Sequence, residues 1–276
     1  PPDRARCCNR HTDLIAVRDQ PTGRTMIRRA CHSRRYKEVI VQSVYYFIMV
    51  PMVYIAFAVF FVGISVKIVK ILREPKQPMT LQIFPEKQPK WLWALHDTLL
   101  FPTIRRHKPV LWVFIMAFHI CLLLLLIGHL ELIADFAVFQ IIPHEIFIGN
   151  GFVGLTLVVC LLYLIFRRFQ SPVKDLSVPE DYYLLILLFL IVLFGSEMDW
   201  ARRWYGYEEL AVEDYNAYLL SLLAFKPELP YNTTFSGHSF MLVLHIFFAN
   251  LLLIFFPFTQ LMHSILALPM NKLRRG

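Results

Sequence analysis

Four histidines stand in stretches that otherwise hold almost nothing able to ionise. His119 and His129 lie in "AFHICLLLLLIGHLELI" (residues 117–133), where the only other titratable groups are Cys121 and Glu131. His245 and His263 lie in "LVLHIFFANLLLIFFPFTQLMHSI" (residues 242–265). Imidazole is costly in hydrocarbon, and such groups normally face a partner, a cavity or a ligand. The second pair is 18 residues apart, five turns of a continuous helix, which puts both rings on one face roughly 27 Å apart. The first pair is ten apart, roughly 15 Å along the axis and about 80° short of a common face. If the two segments run antiparallel, His119 pairs in depth with His263, and His129 with His245.

Two imidazoles at one depth on facing helices suit bis-histidine haem ligation, because the iron takes two axial ligands on opposite sides of the ring. The macrocycle is apolar, and small neighbours such as Ala117, Gly128 and Ala249 let it approach the backbone. The unequal spacings do not fit two straight helices. Tilt or a kink, for which Pro257 is well placed, must absorb the difference. The alternative is that the four histidines merely hydrogen-bond across helices, and two matched depths weigh against it. Zinc fits less well, since no carboxylate or thiolate shares a depth with either pair.

The elements that must carry these residues are membrane spans. Of 276 residues, 57% are apolar and only 17% charged. Residues 44–66, 109–130 and 146–166 contain no Lys, Arg, Asp or Glu, and each can cross a core that needs about 20 helical residues. Residues 182–196 form a shorter fourth span, and the charge-free run 229–271 holds a fifth helix from about Gly237 to His263. The expected fold is all-α with five transmembrane helices. Nine Lys/Arg between Lys67 and Lys108 separate spans one and two; Arg167, Arg168 and Lys174 follow span three; Lys272, Arg274 and Arg275 follow span five. The turn after span two has only Glu131, Asp135 and Glu145. By the positive-inside rule, span one begins outside and the C-terminus is cytoplasmic. The net charge of +8 thus belongs to loops that meet lipid head groups or a cytoplasmic partner, and nucleic acid is not expected.

Residues 1–43 break this pattern, with ten Lys/Arg (Arg4 to Lys37) against four acids on the side that should be poor in basic charge. No signal-peptide core is visible there. Residues 1–43 are read as a basic leader, either disordered or an upstream extension of a chain whose natural start is Met49, and residues 44–276 as the membrane domain. Cys7, Cys8 and Cys31 fall in the leader, and Cys121 and Cys160 in spans. No Cys-x-x-Cys occurs, so iron–sulfur ligation and c-type haem have no support in the chain.

Three further residues suit proton chemistry on the outer side. His144 and Glu145 follow Pro143 where the chain re-enters the membrane, near the expected depth of His129. A near-neutral histidine or a partly buried glutamate can take up and pass on a proton. The plainer role for Glu145 is to favour the N-terminus of span three. His238 precedes His245 by seven residues and is expected about 10 Å further out. There it would either be a solvated interfacial histidine or contact a haem propionate or quinone, a contact shared with Arg202 or Arg203.

The chain resembles the gamma-subunit family of respiratory nitrate reductase, the di-haem cytochrome b membrane subunit. It is similar above all to the branch found in membrane redox complexes of sulfate reducers, including the sulfite-reduction-associated complex. The matching stretches are "VYIAFAVFFVG", "FHICLLLLLIGH", "RRFQSP", "SVPEDYY" and "LHIFFANLLLIFFPFTQLMH", within residues 50–272. The resemblance implies that His129 and His245 hold an outer haem b, that His119 and His263 hold an inner one, and that Gly128 matches the family. It also implies menaquinone near the outer haem, where His144, Glu145 and His238 would serve it and take the proton that quinol oxidation releases, a cytoplasmic iron–sulfur partner at the inner haem, anaerobic respiration, and a bacterial or archaeal cytoplasmic membrane. The nitrate reductase branch carries a lysine near the start of span three that is implicated in quinol binding. This chain reads "IIPHEIF" there, so that role does not carry over.

Two rival functions are weaker. "SGHS" (residues 236–239) prompts a lipid phosphatase, but the Arg and the downstream His-x-x-x-Asp that grip phosphate in that chemistry are missing. A histidine-based proton-coupled transporter would need no haem, and colour separates it from a cytochrome.

Overall fold

The computed structural model describes residues 40–74, 88–134, 151–206, 212–230 and 239–274, and they are helical without strands. The chain divides into two units, residues 1–47 and 48–276. In the first, the described residues 40–47 are helical.

The helices are α1 (Pro51–Arg73), α2 (Lys90–Leu100), α3 (Pro102–His107), α4 (Pro109–Glu131), α5 (Phe152–Arg168), α6 (Val173–Leu176), α7 (Pro179–Tyr205), α8 (Val212–Leu223), α9 (Ser239–Phe255) and α10 (His263–Arg274). Four stretches among the described residues are long and apolar enough to cross a membrane: Ile40–Arg73, Pro109–Glu131, Pro179–Ala201 and Phe240–Phe258. α5 has 17 residues, roughly 26 Å of helix. It opens at Gly151, whose φ of 66° is a left-handed conformation that glycine adopts without strain.

The long helices pack in the order α4, α5, α7, α9, α1, each against the next. The central core lies between α4, α5 and α7, where Leu157, Val158, Leu161, Leu188 and Val192 are buried under Phe118, Cys121, Leu122 and Leu125. The connection from α5 to α7 is held by the two motifs that flank it. Arg168 donates to Ser177 Oγ (3.1 Å) and to Asp181 Oδ2 (2.9 Å), the Val178 N–H reaches the same carboxylate, and the Tyr182 hydroxyl donates to the Arg168 carbonyl.

Three spans differ from the sequence expectation. α7 extends well beyond residues 182–196, through Glu197 and Asp199 to Tyr205, because nothing before Gly206 stops it. Gly206 then closes the helix at φ 68°. The first apolar stretch starts at Ile40 rather than Val44, and its helix breaks at Val50 (φ −122°, ψ −76°) ahead of Pro51. Proline has no N–H to donate. The Ile48 and Met49 carbonyls beside the break accept Asn250 Nδ2 (3.0 Å) and the Tyr218 hydroxyl (2.5 Å).

The third difference matters most. Span five is not one helix to His263: α9 ends at Phe255, and 3₁₀ turns follow at Phe256–Phe258 and Gln260–Met262, with Thr259 extended between them. Pro257 is the point at which the helix gives way. Its carbonyl accepts Lys67 Nζ at 2.9 Å, and Glu180 Oε1 accepts the Gln260 N–H at 3.1 Å. Gly63 lets α1 come this close, since a Cβ there would lie 2.6 Å from Pro257 Cγ. The stretch "DYNAYLLSLL" between the last two long helices lies within α8.

Candidate haem-ligating site

α4 is uninterrupted from Pro109 to Glu131, so His119 and His129 keep the separation that ten helical residues impose. Their partners come from either side of the broken span: His245 from α9, and His263 from the first residue of α10. The break brings together the pairs that depth alone had matched. The rings of His129 and His245 have centroids 6.0 Å apart and planes 22° apart. Those of His119 and His263 are 6.4 Å apart at 78°. A continuous helix from 239 to 263 would have carried His263 beyond the reach of His119. The 3₁₀ turns and extended Thr259 absorb the mismatch, which corrects the reading of His245 and His263 as one face of one helix.

Among the described residues, α4 and α9 are not one of the closely packed helix pairs, so the imidazoles meet between helices whose backbones stand apart. The separation has a chemical meaning. With a metal–imidazole nitrogen bond of about 2.0 Å, two rings that share one metal from opposite sides have centroids about 6.3 Å apart. Both pairs lie close to that figure.

Hydrogen bonding sets the tautomer. Nδ1 of His119 faces the Ile115 carbonyl (2.8 Å), Nδ1 of His129 the Leu125 carbonyl (2.7 Å), Nδ1 of His245 the Ile191 carbonyl (2.9 Å), and Nδ1 of His263 the Gln260 carbonyl (2.8 Å). A carbonyl can only accept, so each Nδ1 carries the proton and each neutral ring presents the Nε2 lone pair. That is the form in which histidine binds a metal, with the second nitrogen tied to a carbonyl that fixes the ring and raises its basicity. Four of four histidines share this arrangement. The donor set fits two bis-imidazole haem sites, one per pair.

Several neighbours escaped sequence reasoning. Phe101 takes a positive φ of 43°, unusual for a non-glycine residue, at the junction of α2 and α3, and its ring lies 5.5 Å from that of His119. Phe118 meets the same imidazole edge-on at 5.1 Å. Gly195 of α7 packs directly on His245. The available signals were a glycine inside an apolar span for Gly195 and the first base after span one for Lys67; Phe101 had none. Gly128 is buried beside His129. His144, Glu145 and His238 lie outside the described residues, as do the side chains of Arg202 and Arg203.

Residues 105–276 match the family described as nitrate reductase gamma subunit. A relative from Archaeoglobus fulgidus, the Hdr-like menaquinol oxidoreductase cytochrome b-like subunit, is 32% identical over 175 residues, which cover 56% of this chain and 47% of the relative. The chain thus spans about half the length of the curated relative it matches. The family match takes in all four paired histidines and most of the apolar helices. This multi-pass membrane protein belongs to the nitrate reductase gamma subunit family.

Proposed function

We propose that the chain is the membrane-anchor cytochrome b subunit of an anaerobic respiratory complex, carrying electrons between menaquinol and a cytoplasmic iron–sulfur partner by way of two haems b. The observation that carries this reading is the pair of imidazole pairs, each spaced for one shared metal and each with every Nδ1 committed to a carbonyl. His129 and His245 would hold the outer haem, with Gly128 beside it, and His119 and His263 the inner one. When bound, haem supplies reversible one-electron chemistry; the protein supplies ligation, spacing and a low dielectric. Ten residues of α4 set the two sites roughly 15 Å apart along the membrane normal. The name of the Archaeoglobus relative, which joins menaquinol to a cytochrome b-like subunit, supports the choice of quinone.

In this reading residues 44–276 form a five-span domain behind a basic leader at 1–43, and α5 is the third span. Span one begins outside and the C-terminus is cytoplasmic, so the basic loops face the partner subunit. His144, Glu145 and His238 would line the quinone site on the outer, acidic side. Pyridine haemochrome analysis of the purified protein tests the core of the proposal. Two b-type haems per polypeptide are expected, with His129 and His245 variants losing one spectral species and His119 and His263 variants the other. A single haem, a c-type spectrum, or losses that do not follow these pairs would overturn it.

A further inference from the structure

His245 is oriented differently from the other three histidines. His119, His129 and His263 each donate Nδ1–H to a carbonyl three or four residues earlier in their own segment. His245 instead reaches across to Ile191 on α7, at 2.9 Å. A helical carbonyl points toward residue i+4, whose Cβ leans back over it. For Ile191 that residue is Gly195, the position on which the His245 ring rests. A Cβ on residue 195 would lie 2.9 Å from Cε1 and 3.0 Å from Nδ1 of His245, closer than non-bonded atoms tolerate. The missing side chain therefore does two things: it makes room for the imidazole, and it uncovers the second lone pair of the Ile191 carbonyl. Beside it, Phe194 and Phe248 stack with planes 3° apart and centroids at 5.7 Å, which holds α7 and α9 in register.

We propose that Gly195 is a positioning residue for the outer haem: by admitting the His245 ring to the Ile191 carbonyl, it makes span four, rather than the ligand's own helix, set the ring plane and basicity of one axial ligand. The ring orientation at the outer site then responds directly to the packing of spans four and five at Gly195. This inference rests on the reading of His129 and His245 as haem ligands.

The test uses the purified full-length chain, with the inner haem as internal reference. In Gly195→Ala the ring is pushed off the carbonyl. The outer haem is expected to be lost, or to keep its place with an altered low-spin signal and a raised midpoint potential, because a less basic imidazole stabilises ferric iron less. The inner haem should not change. A second variant leaves volume untouched: an ester in place of the 191–192 amide, made by installing the α-hydroxy analogue of Val192, weakens the Ile191 carbonyl as an acceptor. It is expected to raise the outer potential alone. If Gly195→Ala loses both haems, the ester variant decides: an upward shift confined to the outer haem supports the proposal, and no shift overturns it. Unchanged outer potential and signal in both variants also overturn it. Failure of the underlying ligand reading looks different, since the unsubstituted protein would then lack two b-type haems.

Discussion

Lys67 of α1 donates a hydrogen bond from its ammonium group to the Pro257 carbonyl, 2.9 Å away, at the point where span five stops being helical. In return span five sends Asn250 to the Ile48 carbonyl, beside the proline break of span one. Each broken span is thus capped by a polar side chain from the other. In hydrocarbon an unsatisfied backbone group costs several kcal/mol, so proline breaks persist only where neighbours supply partners. The Lys67 contact also bears on the histidines, because the segment it holds leads within a few residues to His263.

Lys67→Met is therefore expected to destabilise the protein by about 1.5–3 kcal/mol, the usual worth of a hydrogen bond from a charged donor. It should broaden or shift the signal of the inner haem alone. Lys67→Arg, which keeps a donor, should restore both. Thermal unfolding in detergent and low-temperature optical spectra check this. A stable Met variant with an unaltered inner haem would mean that the break needs no cap.

The ring planes yield a spectroscopic prediction. The His129 and His245 rings lie within 22° of parallel, and the His119 and His263 rings stand at 78°. Near-parallel axial rings lift the degeneracy of the iron dπ orbitals and give a rhombic low-spin ferric spectrum. Near-perpendicular rings leave those orbitals almost degenerate and give a highly anisotropic one. Electron paramagnetic resonance of the oxidised protein should resolve one haem of each type. Loss of the rhombic species in His129 or His245 variants assigns it to the outer site, and two identical signals would contradict the observed geometry.

Tyr218 supplies a pH-dependent contribution outside the spans. Its buried hydroxyl donates to the Met49 carbonyl, and burial, reinforced by the nearby Tyr54 phenol, pushes its pKa well above the usual value of about 10. The folded pKa is raised, so the stabilisation is complete below the unfolded value and is lost as pH climbs past about 10 toward the folded one. Tyr218→Phe is expected to cost about 1–2 kcal/mol, constant between pH 7 and about 9.5, with the gap to wild type closing at higher pH. Melting temperatures of both proteins across that range measure it.

The sequence alone determined the class of the protein and the identity of its paired histidines. Long charge-free runs leave no soluble alternative, and the depth of a residue in a span follows from counting, because rise per residue in a helix is constant. Counting was enough to match His129 with His245 and His119 with His263, and to mark Pro257 as the site of a break. It could not say how a break resolves, since the 3₁₀ turns at Phe256–Met262 depend on caps from Lys67 and Glu180, which lie about 190 and 80 residues away in sequence. It also misjudged the length of span four, because a helix continues past its hydrophobic stretch until a residue such as Gly206 ends it. Ring planes and Nδ1 partners belong wholly to the tertiary structure. Whether an imidazole bonds its own helix or, like His245, a neighbour's carbonyl is decided by how closely two backbones approach, and here a missing Cβ at Gly195 sets that distance.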